Sequence, residues 1–409
     1  MRKGLDSPER LQRYAELIVR VGANVAPGQY VAVDGLVEHV ELVRAVADAA
    51  YDAGASFVDV RYADLRVKHS MIAKAPEDAL TFTTTWMVER LERLGAERGA
   101  QILIAGNPDP QLFSDLDPAR VGAARQVAFD EAHMRNITTQ VINWTIAPFP
   151  TAGWAEHVYG EPDLERLWDE LGYAVRLDVP DPVEAWRAHI ESLGRRARSL
   201  NDQKFDALRF TGDGTDLTIG LLPGSRWLSA ALTTTFGRRH VVNLPTEEVY
   251  TTPDRARADG VVRASRPLVL PGGMVCGLEL RFERGRVVAV EAEKGGEYVR
   301  AQLAADEGAA YLGEVALVDS SSRVGHVDHP FFNGLLDENA ASHIAYGSGF
   351  PYAVEGADRR DPQEQVAAGI NHSGVHTDVM VGGPGTDVVG ITAKGDERSV
   401  VADNVWQLT

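Results

Sequence analysis

Hydrophobic and polar positions along the first half of the chain switch repeatedly between two periods. Residues 8–22 (PERLQRYAELIVRVG) space apolar side chains three and four apart, as a helix burying one face requires. QYVAVDG at 29–35 is a short β-rich run, and VELVRAVADAAYDAG then returns to the helical period. SFVDVRYAD at 56–64 predicts the next strand, a helix follows over 82–98, and AQILIAG at 100–106 is an apolar strand. Helical patterns over 152–173 and 182–202 lead out of this region. Strands alternating with helices in this way predict a parallel sheet wrapped by helices.

From residue 205 onward the texture changes. DALRFTGDGTDLTIGLL reads as a strand, a Gly-rich turn and a strand; GMVCGLELRFERGRVVAVEAEKG turns at Arg284-Gly285-Arg286, and VVGITAKGDERSVV turns around Gly395-Asp396. One helix, over 337–348, interrupts this β-rich stretch. Gly212-Asp213-Gly214 and Gly382-Gly383-Pro384-Gly385 lack the strand-to-helix spacing of a phosphate cradle and read as turns. The chain is 409 residues long, beyond what a single core usually organises. The pattern therefore predicts an α/β protein: an N-terminal parallel-sheet α/β domain over 1–205 and a β-rich α+β catalytic domain over 206–409.

Composition narrows the possible partners. With 41 basic against 59 acidic side chains the formal charge is −18, which works against nucleic acid and anionic membranes. No run approaches the ~18 apolar residues of a membrane span. Cys276 is the only cysteine and lies in an apolar strand-like run, so no intramolecular disulfide forms. With a start (Met1 to Asp6) lacking an apolar leader segment, this predicts a cytoplasmic location.

Candidate chemistry gathers late in the chain. Five of the 11 histidines, His326, His329, His343, His372 and His376, fall within one short stretch. In Val375-His376-Thr377-Asp378-Val379 an imidazole and a carboxylate stand two positions apart, hence on one face of a strand, and suit a divalent transition metal. On these residues alone, a solvent-facing polar stripe on an edge strand is the better explanation of the pair. In Leu336-Asp337-Glu338-Asn339-Ala340-Ala341-Ser342-His343, Asp337 reads as a helix N-cap and His343 as helix-borne. Glu314 enters the apolar run LGEVALV, where burial demands a cation or an Arg partner. Glu247 and Glu248 lie between prolines in a loop that opens into a strand. Gly325-His326-Val327-Asp328-His329-Pro330 is a rival cluster better read as a loop. Neither H-E-x-x-H nor G-x-S-x-G occurs, which excludes a zincin and a serine-nucleophile elbow.

Taken in order, NLPTEEVYTTPD, YLGEVALV, FNGLLDENAASHIAYGSGF and INHSGVHTDVMVGG resemble the sequence blocks of the M29 metallo-aminopeptidases, the aminopeptidase T group, over most of 240–385. The resemblance implies metal ligands at Glu248, Glu314, His343, His376 and Asp378, with Glu314 shared between two divalent ions (Zn, Co, Mn or Mg). It implies two-metal hydrolysis that releases N-terminal residues from short peptides, in a homodimer. Glu247 is the alternative first ligand, and otherwise a proton shuttle or amine anchor. One position departs from the family: a tyrosine is expected seven residues after the histidine, and this chain has Phe350. Tyr352 is the candidate to supply the missing hydroxyl, with Tyr346 a weaker one. Two other readings remain open on the sequence. One is a hydrolase or non-haem iron oxygenase acting on a small non-peptide molecule; the other is a catalytically weak peptide-binding homologue.

Overall fold

The computed structural model describes residues 7–270 and 273–408; Met1 to Asp6, which the leader reading used, fall outside it. The chain forms two compact units, one of residues 1–189 with 231–245, the other of residues 190–230 with 246–409. The segment 231–245 thus returns to the first unit after the chain has entered the second, where the sequence predicts a single crossing near 205.

The first unit holds a four-stranded parallel sheet in the order Phe57–Ala63, Tyr30–Leu36, Ala100–Ala105, Asn143–Pro148. Tyr30 and Ala32 of the second strand cluster with Leu91 and Leu94 of the helix Thr85–Ala96, and Val31, Val33 and Ile102 are buried as well. The fourth strand carries Asn143, Trp144 and Thr145, too polar a start to read as a buried strand. The 152–173 pattern resolves into two helices, Ala152–Tyr159 and Leu164–Ala174. Gly160 breaks it at a positive φ of 76°, a conformation that costs glycine little.

The second unit is built on two sheets. One has eight strands and contains the three hairpins expected from the sequence, with Phe210, Leu217, Phe282 and Val388 in its core. The other has five antiparallel strands in the order His376–Met380, His343–Gly347, Leu312–Leu317, Val249–Thr251, Leu228–Ser229. All six residues of the strand Leu312–Leu317 are buried, Glu314 included. Thr252 alone separates the Val249–Thr251 strand from Pro253–Arg263 of the larger sheet.

The expected helix over 337–348 is not there. Helix covers Gly334–Asp337, one tight turn follows at Glu338–Ala340, and His343–Gly347 is a strand. Ala341 is fully extended (φ −155°, ψ 160°), and the Ser342 hydroxyl donates to the Val318 carbonyl while accepting the Val318 N–H. Two neighbouring strands then offer His343–Gly347 a complete ladder, which overrides the helical preference of its alanines. Asp337 is accordingly no N-cap of a long helix; its carboxylate accepts the N–H groups of Phe331 and Asn333 and folds that loop.

Candidate metal centre

Strand register decides which side chains meet. Glu314 pairs with Ala345, which pairs with Asp378; Ala316 pairs with His343, and Gly347 with His376. Paired residues share a face and residues two apart share it again, so Glu314, His343, His376 and Asp378 project from one side of three adjacent strands. Tyr250 pairs with Ala316 and joins this face, and Glu248 lies two residues before it. The residues between the polar groups are small: Ala345, Ala316 and Gly347.

The five side chains form two triads. Glu248, Glu314 and His343 offer ligand atoms within 4.8 Å of one another, and so do Glu314, His376 and Asp378. Glu314 belongs to both. The His343 Nε2 lies 3.2 Å from Glu248 Oε2, while His376 Nε2 lies 3.2 Å from Glu314 Oε2 and 3.5 Å from Asp378 Oδ1. Although the His376–Asp378 strand is an edge strand, as a solvent-facing stripe would require, the pair faces Glu314.

Whether these residues suit cations can be tested on their hydrogen bonds. The His343 Nδ1 stands 3.1 Å from the Ala341 carbonyl and the His376 Nδ1 2.8 Å from the Ser348 carbonyl. A ring nitrogen against a carbonyl carries the proton, which leaves each neutral Nε2 a bare lone pair aimed at carboxylates. Lone pairs facing carboxylate oxygens repel unless a cation lies between them. Glu248 Oε2 is buried and accepts no hydrogen bond despite its 3.2 Å approach to His343, as expected of an oxygen aimed at a shared point. The donor set fits divalent ions of the zinc, manganese or cobalt type.

Electrostatics describe the same deficit of positive charge. Burial alone lowers the His343 pKa, but Glu248, with Asp378 and Glu314, outweighs it and raises the value to about 10. His376 is likewise raised, Asp378 and Glu314 overcoming burial. Glu314 is pushed up by burial and by Glu248, against the pull of His376.

Four further side chains complete the surroundings. Glu338, quoted in the sequence blocks but given no role there, is half-buried, and its pKa is raised by burial and by Asp378, Glu248 and Glu314. Nothing in its sequence context separates it from a solvated helix acid; only the tight turn aims it at the site. Tyr250 and Tyr352 sit together, each hydroxyl acting on the other and both feeling Glu248 and Glu314. Phe350 packs among them, its ring 5.5 Å from Tyr250, 5.5 Å from Tyr352 and 5.2 Å from His376. Tyr346, the weaker hydroxyl candidate, faces away and donates to Gln302. Glu247 is buried, its N–H bound by Asn339 Oδ1 at 2.7 Å, and takes part in neither triad. His326 and His329 bond the carbonyls of Ser320 and Pro330 and belong to no metal-sized group among the described residues.

Comparison with known proteins shows which family the chain belongs to. The chain is 42% identical over 405 residues to aminopeptidase T of Thermus aquaticus, covering 97% of this chain and 98% of that one. It is 34% identical over 404 residues to aminopeptidase AmpS of Bacillus subtilis, with the same coverage. The solved structure of wild-type AmpT from Thermus thermophilus superposes with a TM-score of 0.91 at 40% identity, covering 98% of this chain and 99% of that one. The family described as thermophilic metalloprotease (M29) matches residues 7–406, and with these relatives at full length the chain belongs to the M29 metalloproteases.

Proposed function

We propose that this chain is a metallo-aminopeptidase that removes N-terminal residues from short peptides at the face carrying Glu314. The observation that carries the proposal is the pair of triads sharing Glu314. Each has one imidazole and two carboxylates, a pattern suited to two divalent ions and unlike the two-histidine, one-carboxylate set of a mononuclear iron oxygenase. The relatives are named aminopeptidases, which supports the peptide substrate.

In this reading Glu248 and His343 would hold one ion, His376 and Asp378 would hold the other, and Glu314 would serve both triads. When bound, such ions acidify a water molecule and polarise the scissile carbonyl. The chain does the rest. The Ala341 and Ser348 carbonyls fix both imidazoles in the tautomer that presents Nε2. Tyr352, supported by Tyr250, donates a hydrogen bond to the carbonyl oxygen as charge develops on it. That role suits Tyr352 because Phe350 has no hydroxyl and packs against its ring. We place Glu247 behind the ligand loop, which its backbone bond to Asn339 tethers.

Among the described residues no helix is long and apolar enough to cross a membrane. We further propose a cytoplasmic homodimer using zinc, cobalt or manganese. The functional test compares metal-loaded protein on leucine and phenylalanine anilides and on short peptides with free or acetylated N-termini. Cleavage confined to free N-termini is expected; equal cleavage of both overturns the assignment.

A further inference from the structure

Two consecutive peptide units at the end of the strand His343–Gly347 are held at both of their polar ends. In the first, the Ser348 N–H donates to the Val375 carbonyl at 2.7 Å, and the Gly347 carbonyl accepts from the Asn371 side chain. In the second, the Gly349 N–H donates to the Asn371 backbone carbonyl at 2.8 Å, and the Ser348 carbonyl faces His376 Nδ1. Asn371 thus grips the chain on both sides of Ser348, the residue whose carbonyl orients His376. Glycines open the space for this. A Cβ on Gly313, the neighbour of Glu314, would lie 2.2 Å from the Ser348 oxygen, and one on Gly347 would lie 2.1 Å from the Val375 oxygen.

These bonds leave Asn371 itself incompletely satisfied. It is fully buried, and its amide nitrogen also donates to the Gly308 carbonyl at 2.7 Å and lies 3.3 Å from the Tyr311 carbonyl. Its oxygen is buried with no hydrogen-bond partner among the described residues. Turning the amide over would set that oxygen against three carbonyl oxygens, so its direction is fixed. Resting on the two-metal reading above, we infer that Asn371 is a positioning residue. Its side chain holds the peptides around Ser348 so that the Ser348 carbonyl keeps His376 in the tautomer that presents Nε2. It thereby sets the affinity of the ion bound by Glu314, His376 and Asp378. His343 is oriented by the Ala341 carbonyl instead, so its ion does not depend on Asn371. Losing a partner that orients a ligand in this way weakens a bound metal by roughly 10- to 100-fold.

The test measures zinc affinity in competition with a chelator, on the full chain stripped of metal. Asn371→Asp keeps the shape of the side chain but has no N–H to give. It is introduced into His343→Ala, which leaves the His376 triad, and into His376→Ala, which leaves the His343 triad. Circular dichroism checks the fold of each. The expected result is zinc held roughly 10- to 100-fold more weakly when Asn371→Asp is added to His343→Ala, and no change when it is added to His376→Ala. A carboxylate near the site attracts cations, so such a weakening cannot come from the added charge. Unchanged affinity in the His343→Ala background overturns the inference. So does weakening in the His376→Ala background, since it marks a general loosening of the fold instead of an effect carried by His376. A wild type that takes up fewer than two zinc ions overturns the two-metal reading itself. Should Asn371→Asp fail to fold, Asn371→Ser, which removes the amide without adding a charge, decides by the same comparison.

Discussion

Glu314 and Asp378 face each other across Ala345, each paired with it from an opposite side of the strand His343–Gly347. The methyl group of Ala345 is thus the floor between two carboxylates that must share cations. A larger side chain would rise between them. Ala345→Leu should abolish metal binding and activity while leaving the sheet hydrogen bonds intact. Circular dichroism and metal analysis check this together. A folded Ala345→Leu protein that keeps a full metal complement would show that the cations sit elsewhere.

Because Glu314 contributes to both triads and every other ligand to one, the ligands should differ in what their removal costs. Glu314→Ala should lose both ions. His343→Ala and Asp378→Ala should each lose one, from opposite triads. Plasma mass spectrometry on dialysed protein counts the metals per chain. One ion remaining in Glu314→Ala, with normal affinity, would refute a shared ligand.

The phenol at position 352 gives the third prediction. Tyr352→Phe removes the proposed donor and should lower kcat by ~10²–10³, with KM little changed, since the bond strengthens only as charge develops. Tyr250→Phe should lower kcat less, because it supports Tyr352 through its hydroxyl. Steady-state kinetics on leucine anilide separates these effects. If both variants turn over normally, the oxyanion donor is another group.

How much of this was legible in the chain depends on whether the signal was local. His376 and Asp378 could be placed on one face from their spacing alone, and the strand His376–Met380 has them there. Glu314 announced itself as a charge within an apolar run, and that run is a buried strand. His343 was harder to read. Its alanine-rich surroundings favour helix, and only the ladders supplied by strands some 30 residues away on either side turn the segment into a strand. Glu338 carried no signal, since its approach to Asp378 depends on the tight turn between helix and strand. The path of residues 231–245 back to the first unit was equally silent, being a matter of tertiary contacts without a compositional shift.

The last prediction concerns stability in the first unit. His39 is fully buried, its Nδ1 accepting the Leu36 N–H at 3.2 Å and its Nε2 donating to the Gly106 carbonyl at 3.0 Å. Protonating Nδ1 would set two N–H groups against each other. Burial, only partly offset by the carbonyl bonds, lowers the pKa from 6.5 to about 4. Since the unfolded chain binds this proton more readily, folding loses stability as pH falls from about 6.5 towards 4, and the contribution is complete above that window. The full shift corresponds to about 3 kcal/mol. Thermal melts between pH 4 and 7 should show the wild type losing stability on acidification more steeply than His39→Leu. That variant will be less stable at pH 7, because it strands the Leu36 N–H, but its slope should be shallower across the same window. Parallel slopes would mean that His39 is not the group being titrated, whatever the absolute melting temperatures.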